Sequence, residues 1–212
     1  MPGPLRRLSR EQLAQLRDQT VSHYDQRARA FWEGTRDHDV SQNIEALLRH
    51  AAVPGPLDIL DVGCGPGRDL LAFRERGHRP VGLDAAPRFV EMARAHAGCE
   101  VWLQDLLALE LPGQRFDAVF ANAVLFHVPS QELGRVLLAL RETLRPGGVL
   151  FASNPRGPDV EQQHGLRYGC YMTLETWSEF LRAAGFSRLE HYYRPSGLPR
   201  AQQPWLATVW RR

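Results

Sequence analysis

Apolar positions along this chain follow two rhythms in turn. Behind Ser9-Arg10-Glu11-Gln12, which reads as a capping box, Leu13, Leu16, Tyr24, Ala28 and Phe31 recur at helical spacing, and Gly34 supplies a stop, so the chain is expected to open with one long helix. Asp39-Val40-Ser41-Gln42, with Asp39 as N-cap, predicts a second helix carrying Ile44, Leu47 and Leu48 that Pro54-Gly55-Pro56 ends. Short apolar runs then alternate with helical patterns. Strands are expected at Leu57 to Val62, Pro80 to Asp84, Cys99 to Gln104 and Phe116 to Val124, the last apolar enough for a central parallel strand. The first intervening helix ends at Gly77, and the second starts with Pro87 in its first turn and stops at Gly98. Ser130 caps a helix with Leu133, Val136, Leu137, Leu140 and Leu144 on one face, and Arg145-Pro146-Gly147-Gly148 returns the chain to a fifth strand, Val149 to Ser153.

Strands alternating with helices imply right-handed crossovers and a parallel sheet. The tail departs from that rhythm. After a helix at Thr173 to Ala184 come two strand-like runs, Leu189 to Tyr193 and Pro204 to Trp210, joined only by a Pro-rich loop, so they must pair antiparallel. The reading is α/β: seven strands, mostly parallel, closed by an antiparallel C-terminal hairpin, with helices on both faces. One domain is expected, residues 57–212 forming the core and residues 1–53 an N-terminal helical lid.

At 212 residues the chain can bury one substantial α/β core. Its 26 Lys and Arg nearly balance 24 Asp and Glu, leaving no global field to recruit nucleic acid or an anionic membrane, so a small-molecule partner is expected. The longest apolar stretch, Ala118 to Val128, is too short to span a bilayer, and Met1 to Arg10 has no signal-like apolar core, which together predict a cytoplasmic protein. Three cysteines without metal-type spacing predict neither a disulfide framework nor a metal site.

Chemistry concentrates in Leu60-Asp61-Val62-Gly63-Cys64-Gly65-Pro66-Gly67-Arg68-Asp69 and in Pro80-Val81-Gly82-Leu83-Asp84. Glycines at alternate positions remove each Cβ where a strand turns into a helix, so backbone can lie against a ligand, and an acid ending the next strand can accept hydrogen bonds from both ribose hydroxyls. Gly-x-Gly-x-Gly differs from the Gly-x-Gly-x-x-Gly of pyrophosphate binders. A ligand with a ribose, no phosphate and a cationic or zwitterionic tail fits, and S-adenosylmethionine has that description.

These segments, with Gln104-Asp105-Leu106 and Leu144-Arg145-Pro146-Gly147-Gly148, resemble a class I S-adenosylmethionine-dependent methyltransferase of Rossmann-like fold. That resemblance implies that Gly63, Gly65 and Gly67 face the methionine part of the cofactor, that Asp84 binds the ribose, and that Asp105, with Leu106, meets the adenine. A narrower resemblance lies in Phe31 to Ile44, Phe126 to Ser130 and Tyr192 to Arg200, which are similar to the methyltransferase domain of the bifunctional ovothiol synthase. It implies methylation of the π nitrogen of 5-thiohistidine, or of 5-selenohistidine. The family's iron-dependent sulfoxide synthase domain carries His-x-x-x-His-x-Glu, and none of the eight histidines here has that spacing, so the chain reads either as an excised domain or as a freestanding methyltransferase, the latter open to functional coupling with a separate sulfoxide synthase.

Asp61 reads either as a ligand contact or as an acceptor within the glycine turn, and Asn122 either as a site residue or as a buried amide. If the N-terminal helices cover the cofactor, Tyr24 and Thr35 meet its methionine end, while Asp39 and Asn43 face the substrate. His127, just past the fourth strand, lies where open sheets present ligands and is expected to act in catalysis with Asn43. Asn154, Arg156, Arg167, Tyr168 and Tyr171 complete the candidate substrate set, with Arg156 or Arg167 as the guanidinium for an amino-acid carboxylate. Trp205 and Trp210 are expected to pack against the sheet. A methyltransferase for another small nitrogen or sulfur nucleophile, and a non-catalytic cofactor-binding regulator, are the competing readings.

Overall fold

The computed structural model describes residues 2–51 and 54–212. Of the expected lid segment, Met1, Ala52 and Val53 lie outside the described residues. Seven strands form the main sheet: β1 (Asp58–Val62), β2 (Arg79–Asp84), β3 (Glu100–Leu103), β4 (Phe116–Asn122), β5 (Leu144–Pro155), β8 (Ser187–Arg194) and β9 (Trp205–Arg211), in the order β3-β2-β1-β4-β5-β9-β8. The first five run parallel, and β9 inserts antiparallel between β5 and β8. The order reverses at β1 and β4, and the crevice beyond their carboxyl ends is where an open sheet receives its ligand.

Alternation along the strands sends successive side chains to opposite faces. Leu60, Val62, Val119 and Leu150 meet α6 (Ser130–Thr143) and α7 (Leu174–Ala183) through Leu133, Leu137, Trp177 and Phe180. Ile59, Phe120 and Phe151 face α3 (Ser41–Leu48) and α4 (Arg68–Glu75) through Ile44, Leu47 and Phe73, with the Phe120 and Phe151 rings stacked at 4.9 Å. Helix α5 (Pro87–Ala97) packs Val90 and Ala93 on Leu70 and Val101, and Gly98 ends it in the left-handed conformation.

Several expectations need correction. The opening helix is two, α1 (Arg10–Gln26) and α2 (Ala28–Thr35), broken at Arg27 (φ −107°, ψ 14°). The Ser9 capping box forms. Asp39 lies one residue ahead of the cap position and accepts from the Ser41 N–H at 2.9 Å, and α3 stops at Leu48, short of Pro54. Ser130 does not cap α6 with its side chain; its hydroxyl accepts from the Leu5 N–H instead. Between β5 and α7, where the sequence reading places no strand, lies a hairpin, β6 (Val160–His164) and β7 (Arg167–Tyr171). No helix among the described residues is long and apolar enough to cross a membrane.

Candidate cofactor and substrate site

A cavity of about 810 Å³ opens at the carboxyl ends of β1, β2 and β4, within the size range of about 300–1,000 Å³ typical for small-molecule sites. Helices α1 and α2 form its outer wall with Leu16, Arg17, Tyr24, Phe31 and Trp32, so the N-terminal helices do cover the sheet edge.

The glycine turn forms because each step needs backbone that a side chain would obstruct. Gly63 (φ 67°), Gly65 (φ 53°) and Gly67 (φ 92°) all occupy the left-handed region. Their surroundings differ. A Cβ on Gly63 would stand 2.3 Å from a Val124 methyl, and one on Gly67 would stand 2.8 Å from the Ala93 Cα. At Gly65 the nearest atom is a Phe31 ring carbon at 3.8 Å, so that position is open toward the cavity. Gly63 and Gly65 line the cavity, whereas Gly67 serves close packing of the turn on α5, a correction to its expected contact with the cofactor.

Asp84 ends β2 at the cavity with its carboxylate fixed from behind: one oxygen accepts from the Gly65 N–H and the other from the Ala86 N–H, each at 2.9 Å. Burial pushes its pKa up to about 6, against the pull of those backbone donors. Two acceptor directions remain for a pair of neighbouring hydroxyls. Asp105, on the next strand's edge, caps the turn at Leu106–Ala108 through the Leu107 N–H at 2.8 Å, and Arg17 of α1 reaches its other oxygen at 3.4 Å. Leu106 lies beside it in the cavity wall. This set of open glycine backbone, strand-end carboxylate and apolar flank fits a phosphate-free adenosyl ligand.

Asp61 is different. It is buried, does not line the cavity, and its Oδ2 has no hydrogen-bond partner among the described residues; burial first, then the nearby Asp69 charge, push its pKa well up. Behind the cavity floor runs a chain of polar contacts. Tyr192 donates to Asn43 Oδ1 at 2.9 Å, Asn43 donates to Asn122 Oδ1 at 3.0 Å, and Asn122 donates to Asp69 at 3.2 Å. Asp69 is paired with Arg68, which also donates to the Thr35 carbonyl at 2.8 Å. Asn122 and Thr35 reach the cavity, but Asn43 is fully buried and both ends of its amide are engaged, so it orients Asn122 and does not face a substrate.

After β4 the chain turns sharply at Ala123, itself in the left-handed region (φ 63°), and carries Phe126 and His127 over the cavity. His127 Nε2 lies 3.0 Å from the Tyr24 hydroxyl and Nδ1 2.6 Å from the Tyr168 carbonyl oxygen. Burial pushes its pKa down to about 4, so the ring is neutral near pH 7. Both nitrogens are committed to protein, which corrects the expectation that His127 itself works on the substrate.

Of the candidate arginines, Arg167 lines the cavity beside Tyr24, whereas Arg156 donates to the Gln203 and Arg200 carbonyls at 2.8 and 2.7 Å and is a clamp outside it. Asn154 accepts from the Phe126 N–H at 3.2 Å, Tyr168 is buried in the core, and Tyr171 packs near Phe126; none of the three lines the cavity. Asp39 does, together with three residues the sequence did not single out: Arg17, Arg194 and Trp32. Trp205 also faces the cavity, against expectation, while Trp210 is buried in the sheet. A basic residue ending a strand at the ligand edge was the available signal for Arg194. Arg17 had none, because its role depends on how α1 docks.

A profile of the methyltransferase domain family matches residues 59–148, the segment from β1 to the start of β5. The chain is 38% identical over 122 residues to trans-aconitate 2-methyltransferase of Azoarcus sp. (strain BH72), covering 57% of this chain and 47% of that one. To the ubiquinone biosynthesis O-methyltransferase of Chromobacterium violaceum it is 31% identical over 147 residues, covering 63% and 61%. The chain thus spans about half the length of the curated relatives it matches. The crystal structure of Burkholderia thailandensis 1,6-didemethyltoxoflavin-N1-methyltransferase, with bound 1,6-didemethyltoxoflavin and S-adenosylhomocysteine, superposes with a TM-score of 0.76 at 25% identity, covering 100% of this chain and 93% of that one. The strand order, the open Gly63–Gly65 corner beside Asp84 and these relatives agree on a Rossmann-like methyltransferase fold, and the segment from β1 to the start of β5 is similar to the methyltransferase domain family.

Proposed function

We propose that this chain methylates the π ring nitrogen of 5-thiohistidine, or of its selenium analogue 5-selenohistidine. The observation that carries the reading is the charge of the cavity wall. Four arginines line it; Arg17 and Arg68 are paired with Asp105 and Asp69, whereas Arg167 and Arg194 form no ion pair among the described residues. Arg167 is exposed at the rim and Arg194 half-buried with one N–H on the Asp39 carbonyl, so each has guanidinium donors free for anionic groups of a ligand. A small heteroaromatic acid bearing a carboxylate and a thiolate supplies two, and its ring suits the Phe126 and Trp205 side chains. Two further supports are the likeness of Phe31 to Ile44 and Tyr192 to Arg200 to ovothiol synthase, and the Burkholderia enzyme named above, which is an N1-methyltransferase.

In this reading Asp84 holds the ribose, Asp105 and Leu106 flank the adenine, and the backbone of Gly63 and Gly65 runs along the methionine portion. S-adenosylmethionine supplies an electrophilic methyl group on a sulfonium. The protein's contribution is alignment: α1 and α2 exclude water, Arg167 and Arg194 hold the acidic groups, and a ring nitrogen is left pointing along the transfer axis. Orientation of this kind supplies on the order of 7–11 kcal/mol, so no strong base is required.

The same two arginines favour a second reading, O-methylation of a small polycarboxylate, in line with the trans-aconitate relative. Incubation with methyl-labelled cofactor and, in parallel, 5-thiohistidine, 5-selenohistidine, histidine and trans-aconitate separates them by mass spectrometry. Label in the thio- or selenohistidine alone supports the first reading; label in trans-aconitate alone replaces it with the second.

A further inference from the structure

The direction of the hydrogen bonds at His127 determines what the cavity wall can offer a substrate. A carbonyl oxygen only accepts, so the 2.6 Å contact with Tyr168 requires the proton on Nδ1. In the neutral ring Nε2 then carries a lone pair, and Tyr24, 3.0 Å away, must be the donor. A phenol has one proton. With it committed to His127, the Tyr24 oxygen can only accept; the Arg167 guanidinium beside it is one donor, and a second acceptor direction is left for a ligand. The phenol ring is itself held: Phe31 and the His127 ring meet it edge-on at 5.7 and 5.4 Å, and Phe89 lies 6.0 Å away.

We propose that the Tyr24 hydroxyl oxygen accepts the N–H of the substrate's non-reacting ring nitrogen, and that His127, by taking the Tyr24 proton, is the positioning residue that makes this selective. The inference rests on the ring-nitrogen reading above. Neutral imidazole exists as two tautomers, and only the one protonated on the τ nitrogen leaves the π lone pair free to attack a methyl group. An acceptor-only Tyr24 binds that tautomer. A Tyr24 free to rotate its proton could also donate to a bare τ nitrogen, thereby binding the tautomer whose π nitrogen is protonated and inert. The device therefore selects among substrate forms without any proton leaving the protein. It assigns Tyr24 to the acceptor side of the reaction, whereas a contact with the methionine end of the cofactor was expected.

The test uses Tyr24→Phe, His127→Leu, His127→Gln and the Tyr24→Phe/His127→Leu double variant of the full chain. Readouts are kcat and KM with 5-thiohistidine, calorimetric affinity for S-adenosylhomocysteine, and the methylated position by NMR. Loss of one hydrogen bond at the substrate corresponds to roughly a tenfold to hundredfold fall in kcat/KM, expected for Tyr24→Phe and for His127→Leu with cofactor affinity unchanged. The double variant should be no worse than Tyr24→Phe, His127→Leu should still give the π-methyl product but more slowly because part of the bound substrate is the inert tautomer, and His127→Gln, whose side-chain oxygen can accept from Tyr24, should recover most activity. Cofactor affinity falling in step with activity in Tyr24→Phe, multiplicative losses in the double variant, or strict π methylation at the wild-type rate in His127→Leu would each overturn the proposal. Should the wild-type protein bind S-adenosylhomocysteine yet leave 5-thiohistidine untouched, the substrate reading falls. The orientation of the Tyr24 proton is then decided by ¹⁵N NMR of His127, protonated on Nδ1 as inferred or on Nε2 against it.

Discussion

Replacing Asp84 with alanine should abolish high-affinity cofactor binding while leaving the fold intact, and the size of the loss follows from the carboxylate's surroundings. Its two oxygens offer about four acceptor directions. Two are used by the Gly65 and Ala86 N–H groups at 2.9 Å, which leaves two for the hydroxyls of a ribose. Hydrogen bonds to a charged group contribute about 1.5–3 kcal/mol each, so losing two weakens binding by about 3–6 kcal/mol, or roughly 10²- to 10⁴-fold in Kd. The freed Gly65 N–H also loosens the turn that meets the ligand. Stability should change far less, because the alanine variant relieves the burial of a carboxylate that is itself costly enough to push its pKa to about 6. Asp84→Asn, which keeps the volume and one acceptor oxygen, should fall between wild type and alanine. Calorimetric titration with S-adenosylhomocysteine, alongside urea denaturation, measures both effects. A Kd for Asp84→Ala within fivefold of wild type would refute the placement of the ribose.

The same carboxylate makes cofactor affinity depend on pH. Ribose donors need the ionised form, so with a pKa of about 6 the affinity for S-adenosylhomocysteine should weaken by about tenfold from pH 7 to pH 5, a slope that Asp84→Asn removes. Folding stability shows the opposite sign for this group. Its raised folded pKa contributes stability that is complete below about 4 and lost as pH rises through about 6, while His127, depressed to about 4, contributes stability present above 6.5 and lost as pH falls toward 4; the two oppose over that window, so binding is the clean readout. Gly67→Ala should destabilise by about 2–4 kcal/mol in denaturant titration, because its Cβ meets the α5 backbone at Ala93 and its φ is left-handed, whereas Gly65→Ala should cost less stability and more cofactor affinity. Arg167→Ala and Arg194→Ala should each raise KM for the acidic substrate about tenfold or more with kcat less affected, and Arg156→Ala should leave KM near wild type; steady-state kinetics distinguishes them, and a KM effect confined to Arg156 would contradict the site as drawn.

How much of this was legible in the sequence depended on whether a residue's role is local. The glycine turn, Asp84 and the alternation from Leu57 onward could be read because strand–turn–helix chemistry is written in adjacent residues, and the antiparallel tail followed from two strands with no helix between them. The β6–β7 hairpin could not, since Val160-Glu161-Gln162-Gln163-His164 is solvated and has no apolar alternation to mark a buried face. The break between α1 and α2 at Arg27 has neither proline nor glycine to signal it. Arg156 and Arg167 are equivalent as sequence; only the Arg200 and Gln203 carbonyls, more than forty residues on, take one of them out of the cavity. The distinction between Gly65 and Gly67 likewise depends on where α5 packs, and that of Asn43 from Asn122 on a buried chain of amides that joins the N-terminal helices to the sheet.

A crystal structure of the protein with S-adenosylhomocysteine and 5-thiohistidine tests the central claim most directly. Both ribose hydroxyls are expected on Asp84, the thiolate and carboxylate against Arg167 and Arg194, and the π nitrogen in line with the cofactor's sulfur. A ribose bound away from Asp84, or a substrate that turns its sulfur or carboxylate toward the cofactor's sulfur, would contradict it.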